Sequence, residues 1–116
     1  MITADIHTHS TFSEDGRSDI RDMVEAAISA GLQTYGISEH LNYEYERLHL
    51  KIDGKEPPPT DERAYFSAIR KLQREYKDRL FLLAGLEFGY DHDTRTQERY
   101  IRTAETYRPD FIINST

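Results

Sequence analysis

"RLFLLAGLE", residues 79 to 87, is apolar almost throughout and ends on an acid. A half-exposed strand alternates apolar and polar residues, whereas a run apolar on both faces fits a strand of a parallel sheet covered by helices. Its apolar part, residues 80 to 86, is far shorter than the ~20 residues that span a membrane. Stretches of helical spacing flank it. From about Thr60 to Tyr76, the residues Tyr65, Ile69, Leu72 and Tyr76 share a face, and roughly 96 to 107 places Tyr100, Ile101, Ala104 and Tyr107 likewise before Pro109. "DFIIN", 110 to 114, reads as a further strand.

Toward the N-terminus the alternation repeats. "SDIRDMVEAAISAG", 18 to 31, sets Ile20, Met23, Val24, Ala27 and Ile28 at helical spacing, with Ser18 as N-cap and Gly31 as a left-handed end. "ITADI", 2 to 6, and "TYGIS", 34 to 38, are short strands. The order βαβαβαβ predicts an α/β fold with parallel strands joined by right-handed crossovers. Residues 41 to 59 form a long polar connection ending in "EPPP", a length that suits a lid or a functional loop.

Folds of this kind build sites where strands reach their C-terminal ends. Strand one ends in His7-Thr8-His9, strand two in Glu39-His40, strand three in Glu87 and strand four in Asn114-Ser115. Period-two geometry points His7 and His9, ~7 Å apart, to one side of an extended segment. With a carboxylate they make a nitrogen/oxygen donor set suited to Zn, Mn or Fe. Asp15, before Gly16, lies in a loop that can turn its carboxylate toward the same mouth. A lone His-x-His means little, but three successive strands delivering ligand-type residues to one end argue for a metal site.

The bulk composition narrows the classes. A chain of 116 residues, 37% hydrophobic and 31% charged, has the size and character of one globular domain. Net charge is -6 and no Lys/Arg cluster gathers on one predicted element, which argues against nucleic acid, whose backbone is bound through neutralised phosphates. A small anionic substrate remains compatible where metal ions or a few arginines supply local positive charge. The absence of cysteine excludes disulfides, thiolate catalysis and Cys-based zinc sites. "MITADI" has neither a basic n-region nor a long apolar stretch, so a cytoplasmic protein without membrane contact is expected.

"DIHTHSTFSEDG" (5 to 16), "GISEH" (36 to 40) and "GLEFGY" (85 to 90) resemble the first three motifs of the polymerase-and-histidinol-phosphatase (PHP) superfamily. The insert after "SEH", with "GLEFGY" following "LFLLA", looks most like the monofunctional histidinol-phosphate phosphatases of that group. The resemblance implies a distorted (β/α)7 TIM-like barrel whose C-terminal mouth holds two or three divalent ions (Zn, Mn or Fe). It implies that His7 and His9 bind a first ion with Glu87, that Glu87 bridges to a second, and that Asp15 and His40 hold a third. The implied reaction is in-line hydrolysis of a small phosphorylated substrate, histidinol phosphate, to histidinol and phosphate in histidine biosynthesis, with these five residues acting through the metals. Glu39 reads as a structural acid beside the site, and His92 and His49 as loop residues outside it.

One departure accompanies the match. Members usually continue the fourth motif as Gly-Ser-Val-His, whose His ligates the second ion, whereas here the run reads Asn114-Ser115-Thr116. Residues 1 to 116 therefore look like a single partial PHP domain, the N-terminal half of the barrel with about four strands, truncated before that His. Such a half is expected to be inactive alone and to self-associate through its open edges. Two alternatives stand beside this reading: a PHP phosphoesterase with another substrate, and a non-catalytic metal-binding half-barrel.

Overall fold

Residues 4–12, 18–89 and 91–114 are described by the structure, a computed structural model. Among them a four-stranded parallel sheet runs in the order β1-β2-β3-β4. The strands are β1 (Ala4–Asp5), β2 (Thr34–Leu41), β3 (Phe81–Phe88) and β4 (Phe111–Asn114). Helix α1 (Ile20–Ser29) links the first pair, α2 (Tyr43–Leu48) and α3 (Glu62–Glu75) the second, and α4 (Thr94–Tyr107) the third. The alternating α/β order read from the sequence is present, with α2 added inside the connection.

β2 and β3 pair along their full length, from Thr34 opposite Phe81 to Leu41 opposite Phe88. Alternation then sorts the side chains onto two faces. Tyr35, Ile37, Leu41, Leu82, Ala84 and Leu86 are buried in one core with Val24 of α1 and Tyr65, Ile69 and Leu72 of α3. The opposite face carries Gly36, Ser38 and His40 of β2, and Gly85 and Glu87 of β3. Gly85 pairs with Phe111, whose ring lies across the two glycines: a Cβ on Gly36 would meet it at 2.9 Å and one on Gly85 at 2.3 Å.

Local chemistry fixes the ends of the elements. Asp19, Asp61 and Asp93 cap α1, α3 and α4, accepting from Arg21, Ala64 and Thr96 backbone N–H groups at 3.1, 3.0 and 3.0 Å. Asp19 thus replaces the expected Ser18, and α3 starts after Asp61 rather than at Thr60, whose hydroxyl donates to the His40 carbonyl instead. Gly31, at φ 83°, supplies the left-handed turn after α1. Ile101 departs from expectation: it is 57% exposed, since α4 turns Thr96, Tyr100 and Thr103 inward and leaves Ile101 about 100° round the helix from Tyr100.

Two polar devices hold the sheet together. Tyr65 is fully buried, and its hydroxyl lies 2.9 Å from the Ile37 carbonyl and 2.8 Å from that of Gly85, joining α3 to both central strands. Asp110 donates its N–H to the Ala84 carbonyl (2.7 Å), while its side chain accepts from Ala84 N–H and Gln73 Nε2, each at 2.8 Å. That clip seats the start of β4 on β3. No described helix is long and apolar enough to cross a membrane.

Candidate metal centre

Beyond Asp5 the chain leaves regular pairing but stays beside β2. Ser38 N–H donates to the Thr8 carbonyl (2.8 Å), and the Thr8 hydroxyl donates to the Gly36 carbonyl (2.9 Å). With Thr8 committed to β2, the residues on either side of it present their rings together, His7 and His9 having centroids 5.7 Å apart. β3 supplies the third group. Glu87 Oε1 lies 2.7 Å from His7 Nε2 and 2.7 Å from His9 Nε2.

Among the described residues these three form the group of His and acidic side chains able to hold a metal ion, their donor atoms within 4.8 Å of one another. Side-chain exposure grades from 56% at His7 through 15% at His9 to 9% at Glu87, so the cluster is closed on the strand side and open at His7. Two imidazole nitrogens and one carboxylate oxygen match the three protein ligands of an open divalent-metal site.

The neighbouring residues keep the cluster in place. Glu39, on the helix-facing side of β2, is fully buried and accepts from the equally buried Ser10 N–H at 2.6 Å. A buried carboxylate is tolerable when it is hydrogen-bonded, and this bond fixes the backbone directly after His9. Glu39 thus holds the backbone beside the site through Ser10. His40 pairs in register with Glu87, its carbonyl accepts from the Thr60 hydroxyl at 2.7 Å, and its ring stacks on His9 (5.5 Å, 15°). His40 thus stands beside the three convergent donors. Asp15 lies outside the described residues, as do Glu14, Gly16 and Ser115. Asn114 is exposed at the end of β4 and His92 is exposed, while His49 bonds Glu56 at the surface (2.9 Å).

The sequence reading missed the polar knot beneath α2. Glu44 is buried there and accepts from the Tyr100 hydroxyl at 2.5 Å, and that oxygen in turn accepts from Tyr43 N–H and Gly89 N–H, both at 3.2 Å. Burial first, and then the adjacent Glu44, push the Tyr100 hydroxyl above its ordinary pKa, so it remains a donor at neutral pH. A Cβ on Gly89 would fall 2.0 Å from Glu44 Oε1, so a larger residue two positions after Glu87 would have to displace the buried Glu44 carboxylate. Gly89 was the available signal. α2 itself, with six residues, is too short to show periodicity.

Residues 5–116 match the model of the PHP domain. The chain is 31% identical over 116 residues to a histidinol-phosphatase of Lactococcus lactis subsp. lactis, covering 99% of this chain and 39% of that protein. It therefore spans about two-fifths of that relative's length. A solved structure of histidinol phosphate phosphatase from the same organism, complexed with zinc, L-histidinol and phosphate, superposes with a TM-score of 0.78 at 30% identity, over 98% of this chain and 40% of the other. A solved structure from Listeria monocytogenes, 22% identical, gives 0.77 over 96% of this chain and 43% of its own, and speaks to the fold alone. The four parallel strands and their helices thus correspond to part of a known barrel, and with a family match over almost every residue the chain belongs to the PHP domain family.

Proposed function

We propose that this chain carries metal ligands of a phosphoric monoester hydrolase that converts histidinol phosphate to histidinol and phosphate. The observation that carries the reading is the convergence of His7 Nε2 and His9 Nε2 on one oxygen of Glu87. The Lactococcus relative's name supports the substrate, and the zinc, histidinol and phosphate held in its structure support the chemistry.

His7, His9 and Glu87 would hold one divalent ion (Zn, Mn or Fe), and His40 with Asp15 would serve another. When bound, such ions polarise phosphoryl oxygens and offset charge that develops in an in-line displacement. The chain's own residues do the positioning. Glu87, nearly buried, holds both imidazoles aimed at one point. The Ser10–Glu39 bond fixes the backbone that carries His9, and the His40 ring restricts the His9 ring from the side. β1 and β4 are the sheet edges among the described strands, and with exposed Phe81 and Ile112 they favour association of the isolated chain.

The experiment is phosphate release by the intact protein, stripped of metal and then reloaded, on histidinol phosphate and on unrelated phosphomonoesters. Metal-dependent release with histidinol phosphate preferred by kcat/KM is expected. Equal or faster turnover of an unrelated ester contradicts the substrate, and undiminished release by the stripped protein contradicts the metal mechanism.

A further inference from the structure

α2 and α4 flank a shallow, solvent-open groove of about 500 Å³ lined by Arg47, Arg95, Arg99 and Arg102 together with Glu46 and Asp93. Four guanidiniums facing two acids stand out in a chain of net charge -6. The sequence showed no basic cluster on one predicted element, because the helix was expected to begin at 96. It begins at Thr94, which puts Arg95, Arg99 and Arg102 at i, i+4 and i+7 along one face, and α2 brings Arg47 opposite. Like charges at that spacing destabilise a helix.

The cluster is partly fixed in advance. Arg47 holds Asp91 through two 2.7 Å bonds. Arg99 bonds Glu46 at 2.6 Å and lies 3.7 Å over the Tyr43 ring. A guanidinium has five N–H donors, so Arg99 keeps unused ones. Arg95 and Arg102 are exposed and make no ion pair among the described residues. The α4 N-terminus is already capped by Asp93, so an anion here is held by side chains.

We propose that this groove binds the oligophosphate group of a small molecule, with Arg95, Arg99 and Arg102 as its ligands. Guanidinium forks match phosphoryl oxygens. Seven residues of helix separate Arg95 from Arg102 by ~10 Å, so a chain of phosphoryl groups suits the row better than one phosphate. The groove falls in the size range of small-molecule sites, roughly 300–1,000 Å³. Arg99 covers the Tyr43 ring, which leaves no aromatic face for a base, and the oligophosphate is therefore the part recognised. The site contains none of His7, His9 or Glu87 and is independent of the phosphatase reading.

The test is calorimetric titration of the metal-free chain at low salt with tripolyphosphate, ATP and inorganic phosphate. Tripolyphosphate and ATP should bind, and inorganic phosphate at least tenfold more weakly. ATP much the tighter points to a nucleotide as the source, and equal affinities to free oligophosphate. Arg95→Gln/Arg102→Gln should weaken tripolyphosphate binding at least tenfold, while the charge-matched Arg74→Gln/Lys77→Gln leaves it unchanged. Tripolyphosphate should also protect Arg95 and Arg102 of the unaltered chain from phenylglyoxal, a readout that needs no variant to fold. No tripolyphosphate binding, equal loss in the two double variants, or absence of protection overturns the proposal.

Discussion

Gly85→Ala tests how the open face of the sheet is filled. An alanine Cβ there would sit 2.3, 2.4 and 2.6 Å from three atoms of the Phe111 ring, where ordinary contact is about 3.5–4.0 Å. The ring must retreat by roughly 1 Å or more, yet β4 is tied to β3 by the Gly85–Phe111 pairing and the Asp110 clip. Overpacking of this kind costs about 2–3 kcal/mol, and relieving glycine's conformational entropy returns about 0.5–1 kcal/mol. A net loss of about 2 kcal/mol follows, a fall in Tm of roughly 6–10 °C for a chain of this size. Gly36→Ala, whose Cβ meets the ring at 2.9 Å, should lose less. Urea and thermal unfolding followed by circular dichroism measure both. Phe111→Leu in the Gly85→Ala background should recover much of the loss, giving a coupling of about 1 kcal/mol or more in a double-mutant cycle. A neutral or stabilising Gly85→Ala, or strictly additive substitutions, would refute the packing argument.

Tyr65→Phe removes a fully buried hydroxyl shared by two strand carbonyls without opening a cavity, and should cost about 1–3 kcal/mol in the same unfolding assay. Arg47 hydrogen-bonds Asp91 and, aided by the Asp93 N–H, holds its carboxyl down to about 2. Since the folded pKa lies below the unfolded value of about 3.9, this contribution is present above pH ~4 and lost as pH falls toward 2. The stability difference between the parent and Arg47→Gln should therefore shrink across that window, and a constant difference would count against the pairing. Asp110 shifts in the same direction: burial raises its carboxyl, but the Ala84 N–H, Gln73 and Arg70 together outweigh that and lower it.

The parallel α/β order was legible because period and length agree in its longer elements. Residues 79 to 87 read as a strand and β3 forms over Phe81–Phe88, although Phe81 is exposed and the face bearing Gly85 meets the Phe111 ring rather than a helix, while Tyr65, Ile69, Leu72 and Tyr76 mark one helix face that is buried as expected. The convergence of His7, His9 and Glu87 was legible because the His-x-His follows β1 directly and Glu87 stands at the end of β3. What was hidden depends on three-dimensional pairing. β2 runs on to Leu41 because β3 pairs with it through Phe88, a partner 47 residues away. α2 forms because Tyr43 and Glu44 find α4 and Gly89, and nothing in six residues announces that. The arginine row emerged only when α4 began two residues early and α2 folded against it.

Zinc titration of the metal-free chain by calorimetry addresses the metal centre most directly, comparing the parent with His9→Ala, Glu87→Gln and His92→Ala. The account predicts a tight site in the parent and in His92→Ala, weakened at least a hundredfold in His9→Ala and strongly in Glu87→Gln, with all four chains giving the same folded circular dichroism spectrum. Zinc bound by a folded His9→Ala chain as tightly as by the parent would contradict it.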